Sequence, residues 1–233
     1  MLKRELIRYA TLAPSSHNTQ CWKFQLGPFA IFILPDLARR CPAVDPDNHL
    51  LFVSLGCASE NLVLAALANG FSAQPRLNLE TGEIIVTLET SKPFVSPLFQ
   101  AIPQRQCTRA EFDGTALSPA ELLLLEKTGT GDGVHLMLFT DPKAIEKILE
   151  YVVAGNNAQM NDAVFLKNSK HGLATALGIR NAMINQPVEV QSLRPQLATY
   201  LGIGNQRPDL IVRFGRGSLM PRSLRRPVDE VLI

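Results

Sequence analysis

The chain has 233 residues, 46% of them hydrophobic and 19% charged, with a formal net charge of +2 and a pI near 8.4. That balance suits one globular domain with a sizeable core, and the lack of a basic block argues against a nucleic-acid partner. Four scattered cysteines (Cys21, Cys41, Cys57 and Cys107) make no CxxC pair, which argues against zinc and fits free thiols in a reducing cytoplasm.

In chain order, Leu2, Leu6, Ile7, Ala10 and Ala13 mark one helical face, which Pro14 terminates. The N-terminus is too weakly apolar for a signal peptide, and no membrane span is expected. Apolar segments 21–26 and 29–34 predict two strands about the Gly27-Pro28 turn. Asp45-Pro46 predicts a helix start, with the helix running to about Asn69 and Gly70 at its left-handed end. Residues 83–89, rich in β-branched side chains, predict a strand. Residues 93–103 read as a connector with a short helix. Ser118-Pro119-Ala120-Glu121 is a capping box that opens a helix.

Residues 134–140 predict a strand, and Asp141-Pro142 the start of another helix. Helical spacing continues over 156–184 with a break near Lys170, and again over 190–201. Residues 209–214 predict a strand, followed by an extended arm. Ala66–Phe71 and Ala174–Ile179 share the pattern A-x-A-x-G-apolar, a faint internal echo.

Three segments carry chemistry. Pro14, Ser15, Ser16, Asn18, Thr19 and Gln20 crowd hydroxyls and amides into one turn, whose successive N–H groups could also form an anion-holding nest. A helix-terminating turn with its polar groups satisfied locally explains the same residues. Arg105 and Arg109 flank Cys107 and Thr108, and a guanidinium fork suits phosphate or a carbonyl gaining negative charge. An exposed connector with incidental ion pairs is the plainer reading. In the C-terminal arm, Arg222, Ser223, Arg225 and Arg226 lie between Pro221 and Pro227, a stiff cationic strap suited to a phosphate monoester or a solvated tail. His17, His49, His135 and His171 lack metal-ligand spacing, so no metal is expected. No GxSxG, GxGxxG or P-loop pattern occurs.

Taken together these segments resemble the nitroreductase-like flavoprotein superfamily, and most closely its Acg-like branch of FMN-binding oxidoreductases. Residues 13–24 are similar to the signature A-P-S-S-H-N-T-Q-P-W-x-F, with Cys21 where the signature has proline. Residues 105–112 resemble R-x-T-N-R-x-x-F, and residues 225–231 the closing R-R-P-x-x-E-V arm. The resemblance implies an α+β sandwich, a central mostly antiparallel sheet flanked by helices. It covers residues 1–233 as one nitroreductase-like domain, in which the echo would mark two degenerate halves at about 1–92 and 93–233. Longer members carry an additional segment where residues 160–170 here run directly into Gly172.

Carried over by position, the resemblance implies that Pro14, Ser15, Ser16, Asn18 and Gln20 lie against the flavin ring and ribityl chain. Arg105, Cys107 and Arg109 would hold the ribityl-phosphate region and the pyrimidine edge. Arg222, Ser223 and Arg225 would close on the phosphate, and Asn185 would face the isoalloxazine from the other side. The expected function is electron transfer from NAD(P)H through FMN to a small electrophile such as a nitroaromatic or quinone. The alternative is a non-catalytic protein that binds or sequesters flavin. The flavin itself performs the transfer, so no catalytic residue is named. Family members are usually homodimers, and a homodimer is the partner the resemblance allows.

Overall fold

A computed structural model describes residues 2–108, 110–131, 133–160 and 179–233. Helix α1 (Leu2–Thr11) buries Leu6, Ile7 and Ala10, the face its spacing predicts. Strands β1 (Trp22–Leu26) and β2 (Ala30–Pro35) form an antiparallel hairpin, closed where the Gly27 N–H donates to the Ala30 carbonyl at 3.0 Å. Helix α2 (His49–Ala68) begins later than Asp45-Pro46 suggests. Asp45 still caps it, from across a turn: its two carboxylate oxygens accept from the Leu50 and Leu51 N–H groups at 2.9 Å each. Gly70, at φ +82°, ends it as expected.

Strand β3 (Phe71–Leu77) escapes the sequence reading because Pro75 interrupts it. It is tolerated because β3 is an edge strand, pairing only with β4 (Ile84–Thr90). The four-stranded sheet runs β1-β2-β4-β3, every pair antiparallel. Alternate residues Trp22, Phe24, Ile31, Ile33, Val86 and Leu88 point to one face. Leu51, Leu55, Ala58, Leu62 and Ala65 of α2, with α1, cover it. Among the described residues α2 alone is long and apolar enough to cross a membrane. Here it is the central core helix.

The rest is α3 (Pro97–Ala101), α4 (Pro119–Gly129), α5 (Pro142–Met160), β5 (Ile179–Met183), α6 (Gln186–Glu189), α7 (Arg194–Leu201), β6 (Val212–Arg216) and α8 (Val228–Val231). The capping box at Ser118 forms in both directions. Residues 134–140 are not a strand. Val134 pairs only with nearby Gly131, and a β-rich segment without a neighbouring ladder stays irregular. Residues 179–183 are strand β5, paired with β6, rather than helix. The helix expected over 190–201 begins only at Arg194, with Pro195 in its first turn, and the separate short α6 precedes it, with Pro187 in its own first turn. All but the last residue of the second half of the echo, His171, Arg109 and most of the 160–174 junction lie outside the described residues.

The C-terminal arm returns to the core. Val231 is fully buried, and the Ile233 N–H donates to the Phe24 carbonyl at 2.9 Å, beside a parallel bridge from Phe24 to Leu232. That docking covers the free edge of β1 and fixes the far end of the arginine strap. The architecture is α+β, an antiparallel sheet flanked by helices.

Candidate functional site

The turn between α1 and β1 is strained. His17, Asn18 and Gln20 have φ of +49°, +54° and +49°, a region that non-glycine residues seldom occupy. Such a turn persists only when its surroundings over-determine it. The Ser16 N–H donates to Ser54 Oγ at 3.1 Å, and Ser54 Oγ donates to the Leu50 carbonyl at 2.6 Å. Ser15 Oγ accepts from the Gln20 N–H at 2.9 Å. The Asn18 and Thr19 N–H groups bond the Ser15 and Ser16 carbonyls. The backbone donors of Ser16, Asn18, Thr19 and Gln20 are therefore spent inside the protein, and they form no anion nest.

Two guanidiniums meet at this turn instead. Arg105 follows a 3₁₀ turn (Ile102–Gln104) and reaches under the end of α1, donating to the Leu12 carbonyl at 2.9 Å. Arg225 comes from the strap, 120 residues later in the chain, and donates to Asn18 Oδ1 at 3.0 Å. The Nε atoms of both arginines are buried without a hydrogen-bond partner. Among the described residues neither guanidinium is ion-paired to a carboxylate. Burial, and after it the charge of Arg105, push Arg225 down to about 10. Burial also lowers Arg105, partly offset by the thiols of Cys107 and Cys57. Two half-buried cations that repel each other, each with a buried and idle Nε donor, have the charge and hydrogen-bonding chemistry that would suit an anion.

The other expected residues divide. Pro14, Ser15, Ser16, Asn18 and Gln20 all sit in this turn. Gln20 is 5% exposed, and its side chain bonds the strap: Oε1 accepts from the Arg226 N–H at 2.6 Å and Nε2 donates to the Leu224 carbonyl at 3.4 Å. The Ser223 carbonyl accepts from Arg225 at 3.3 Å, whereas Arg222 is exposed. The Cys107 thiol donates to Asn181 Oδ1 at 3.2 Å, which ties it to β5. The Asn185 side-chain oxygen accepts from the Ile211 N–H at 2.9 Å, bracing the start of α6. Arg109 lies outside the described residues.

Three contacts about the turn escape the sequence reading. Arg226 pins the strap, donating to the Gln20 and Glu230 carbonyls at 3.2 and 2.8 Å. Arg39 Nε donates to the Thr19 carbonyl at 2.5 Å. On another side of the turn, His17 Nε2 lies 3.6 Å from Glu189 Oε1, and Glu189 accepts from Gln159 Nε2 at 2.6 Å. Nothing in the spacing of residues 17, 159 and 189 signals that cluster. Arg226 was visible as part of the basic arm, but a side chain that binds backbone leaves no pattern of its own.

No family model matches the chain. It is similar to two proteins of Mycobacterium tuberculosis, one from strain H37Rv and one from strain CDC 1551, each named "Putative NAD(P)H nitroreductase". Each is 28% identical over 141 residues, which is 57% of this chain and 40% of theirs. The match thus spans about two fifths of the length of these curated relatives. Function rests on this distant likeness to nitroreductase-named proteins and on the half-buried Arg105–Arg225 pair.

Proposed function

We propose that the chain is a nitroreductase-like oxidoreductase that uses FMN to pass electrons from NAD(P)H to a small electrophile such as a nitroaromatic or quinone. The observation that carries this reading is the Arg105–Arg225 pair. A phosphate monoester dianion offers several strong acceptor oxygens, which match the idle Nε donors and cancel the repulsion between the two cations. Asn18, bonded to Arg225, would meet the adjoining polyol chain, with Ser15 in the same turn. The relatives named as NAD(P)H nitroreductases supply the donor and the reaction class.

When bound, the flavin supplies the hydride and electron transfer. The chain's residues bind and orient it, so no protein nucleophile is required. Cytoplasmic location and homodimer formation belong to the same proposal. Ile145, Leu149 and Val153, 47%, 52% and 52% exposed at four-residue spacing on α5, give a second copy an apolar stripe to cover. Sedimentation of the purified chain reads that directly.

The test of function is optical. The protein mixed with FMN perturbs the flavin spectrum, NADH or NADPH bleaches it anaerobically, and a nitroaromatic or quinone restores it. Bound flavin that no nicotinamide donor reduces would leave the non-catalytic alternative standing. FMN left spectrally unchanged by the protein would remove both.

A further inference from the structure

Gln20 was expected against the flavin, but its geometry gives it another task. Its amide lies across the strap with the carbonyl oxygen on the Arg226 N–H at 2.6 Å and the amide nitrogen on the Leu224 carbonyl at 3.4 Å. A side-chain amide offers an acceptor and donors side by side, as a neighbouring β-strand would. One side chain therefore brackets residue 225 from both directions along the backbone. The Gln20 main-chain carbonyl adds a third tie, accepting from the Arg226 guanidinium at 3.2 Å. Asn18 Nδ2 reaches the same Leu224 carbonyl at 3.4 Å.

Gln20 is also buried and held at φ +49°. A buried amide with both ends engaged is stable, and one that loses a partner is costly, so the clasp favours a single strap position. From that position the Arg225 side chain meets Asn18 Oδ1 and stands near Arg105.

We propose that Gln20 is a positioning residue: it fixes the strap so that the Arg225 guanidinium faces the phosphate of the cofactor, and it does not itself touch the flavin ring. This rests on the phosphate reading given above. It makes the loop and the C-terminal arm one unit, so that the anion site exists only while the arm is docked.

Two substitutions test it. Gln20→Met keeps the length of the side chain and removes both hydrogen bonds, and Gln20→Glu keeps the acceptor and removes the donor. Limited trypsin digestion of the ligand-free protein reads the strap itself, through cleavage after Arg222 and Arg225. Loss of the clasp in Gln20→Met is expected to speed that cleavage about tenfold, from net hydrogen-bond strengths, with Gln20→Glu in between. Should the methionine variant fail to fold, the glutamate variant carries the test. In the second arm, affinities for FMN and for riboflavin, which lacks the phosphate, are compared by flavin fluorescence.

The expected result is that Gln20→Met lowers FMN affinity about tenfold and leaves riboflavin affinity unchanged, and that adding it to Arg225→Ala lowers FMN affinity no further. Cleavage at the wild-type rate, or FMN and riboflavin affinities falling in step, would overturn the proposal, the latter because it marks a ring contact. A wild-type protein that cannot tell FMN from riboflavin would overturn the phosphate reading instead, and the digestion would still decide the clasp.

Discussion

A half-buried guanidinium beside another, with no carboxylate ion-paired to either among the described residues, is costly in isolation. Arg105 and Arg225 keep that arrangement, and on the proposed reading an anion relieves it. Inorganic phosphate should therefore raise the melting temperature, the gain reaching about 2.7 kcal/mol at a hundredfold excess over the dissociation constant. Arg225→Ala should abolish the response and weaken FMN binding about 10–100-fold, whereas Lys143→Ala on α5 should do neither. Equal FMN affinity in the two variants would argue against the strap model. Both arginines are legible in the sequence as members of basic motifs. Their meeting is not, because 120 residues separate them and only the docked arm brings them together.

Asp47 carries the pH dependence at this scale. Burial alone would raise its carboxyl, but the Arg207 hydrogen bond at 2.6 Å and the charges of Arg194 and Arg207 outweigh that and hold it well below the usual carboxylate range. The unfolded chain then takes the proton first as pH falls. The contribution is present above about pH 4 and is lost as the pH drops below it. With Asp47 36% exposed, solvent screening limits it to about 1 kcal/mol. Urea unfolding should show wild type ahead of Asp47→Asn by that margin at neutral pH, and the gap closing toward pH 2. A gap that widens in acid would contradict the assignment.

Among the elements, caps and prolines were the most readable signals. Ser118 and Asp141 each begin a helix as their spacing indicates, and Asp45 caps α2 even though the helix starts four residues later. Asp45→Ala should cost about 1–2 kcal/mol in chemical denaturation, at the upper end for a cap because Asp45 is buried and binds two N–H groups. Strands were harder, since a strand is made by its partner. Pro75 concealed β3, which survives as an edge, and the β-rich run at 134–140 stays irregular for want of a ladder. Close approach of helices was not legible at all. At Gly155 in α5 a Cβ would lie 2.6 Å from the carbonyl carbon of Gln186 in α6. Gly155→Ala should therefore destabilise by about 1–3 kcal/mol, although alanine is the better helix former. A variant more stable than wild type would show that the two helices part freely.

For the whole molecule, β1, β2, β4 and the long apolar α2 were each readable as elements, and their assembly into an antiparallel sheet flanked by helices was what the resemblance implied. Period-two burial and a helix of that length leave few other arrangements. The return of the C-terminus to β1 was not readable, because α8 is four residues long and its anchor is a single buried valine, Val231. That return joins fold to function: the same chain end that protects the sheet edge holds Arg225 over the turn. The most direct measurement is a titration of ligand-free protein with FMN, wild type beside the Arg105→Ala/Arg225→Ala double variant, followed by flavin absorbance and fluorescence. Saturable binding at one flavin per chain in wild type, weakened about 100-fold or more in the double variant, is the predicted result. No spectral change in wild type, or equal binding by both proteins, would contradict it.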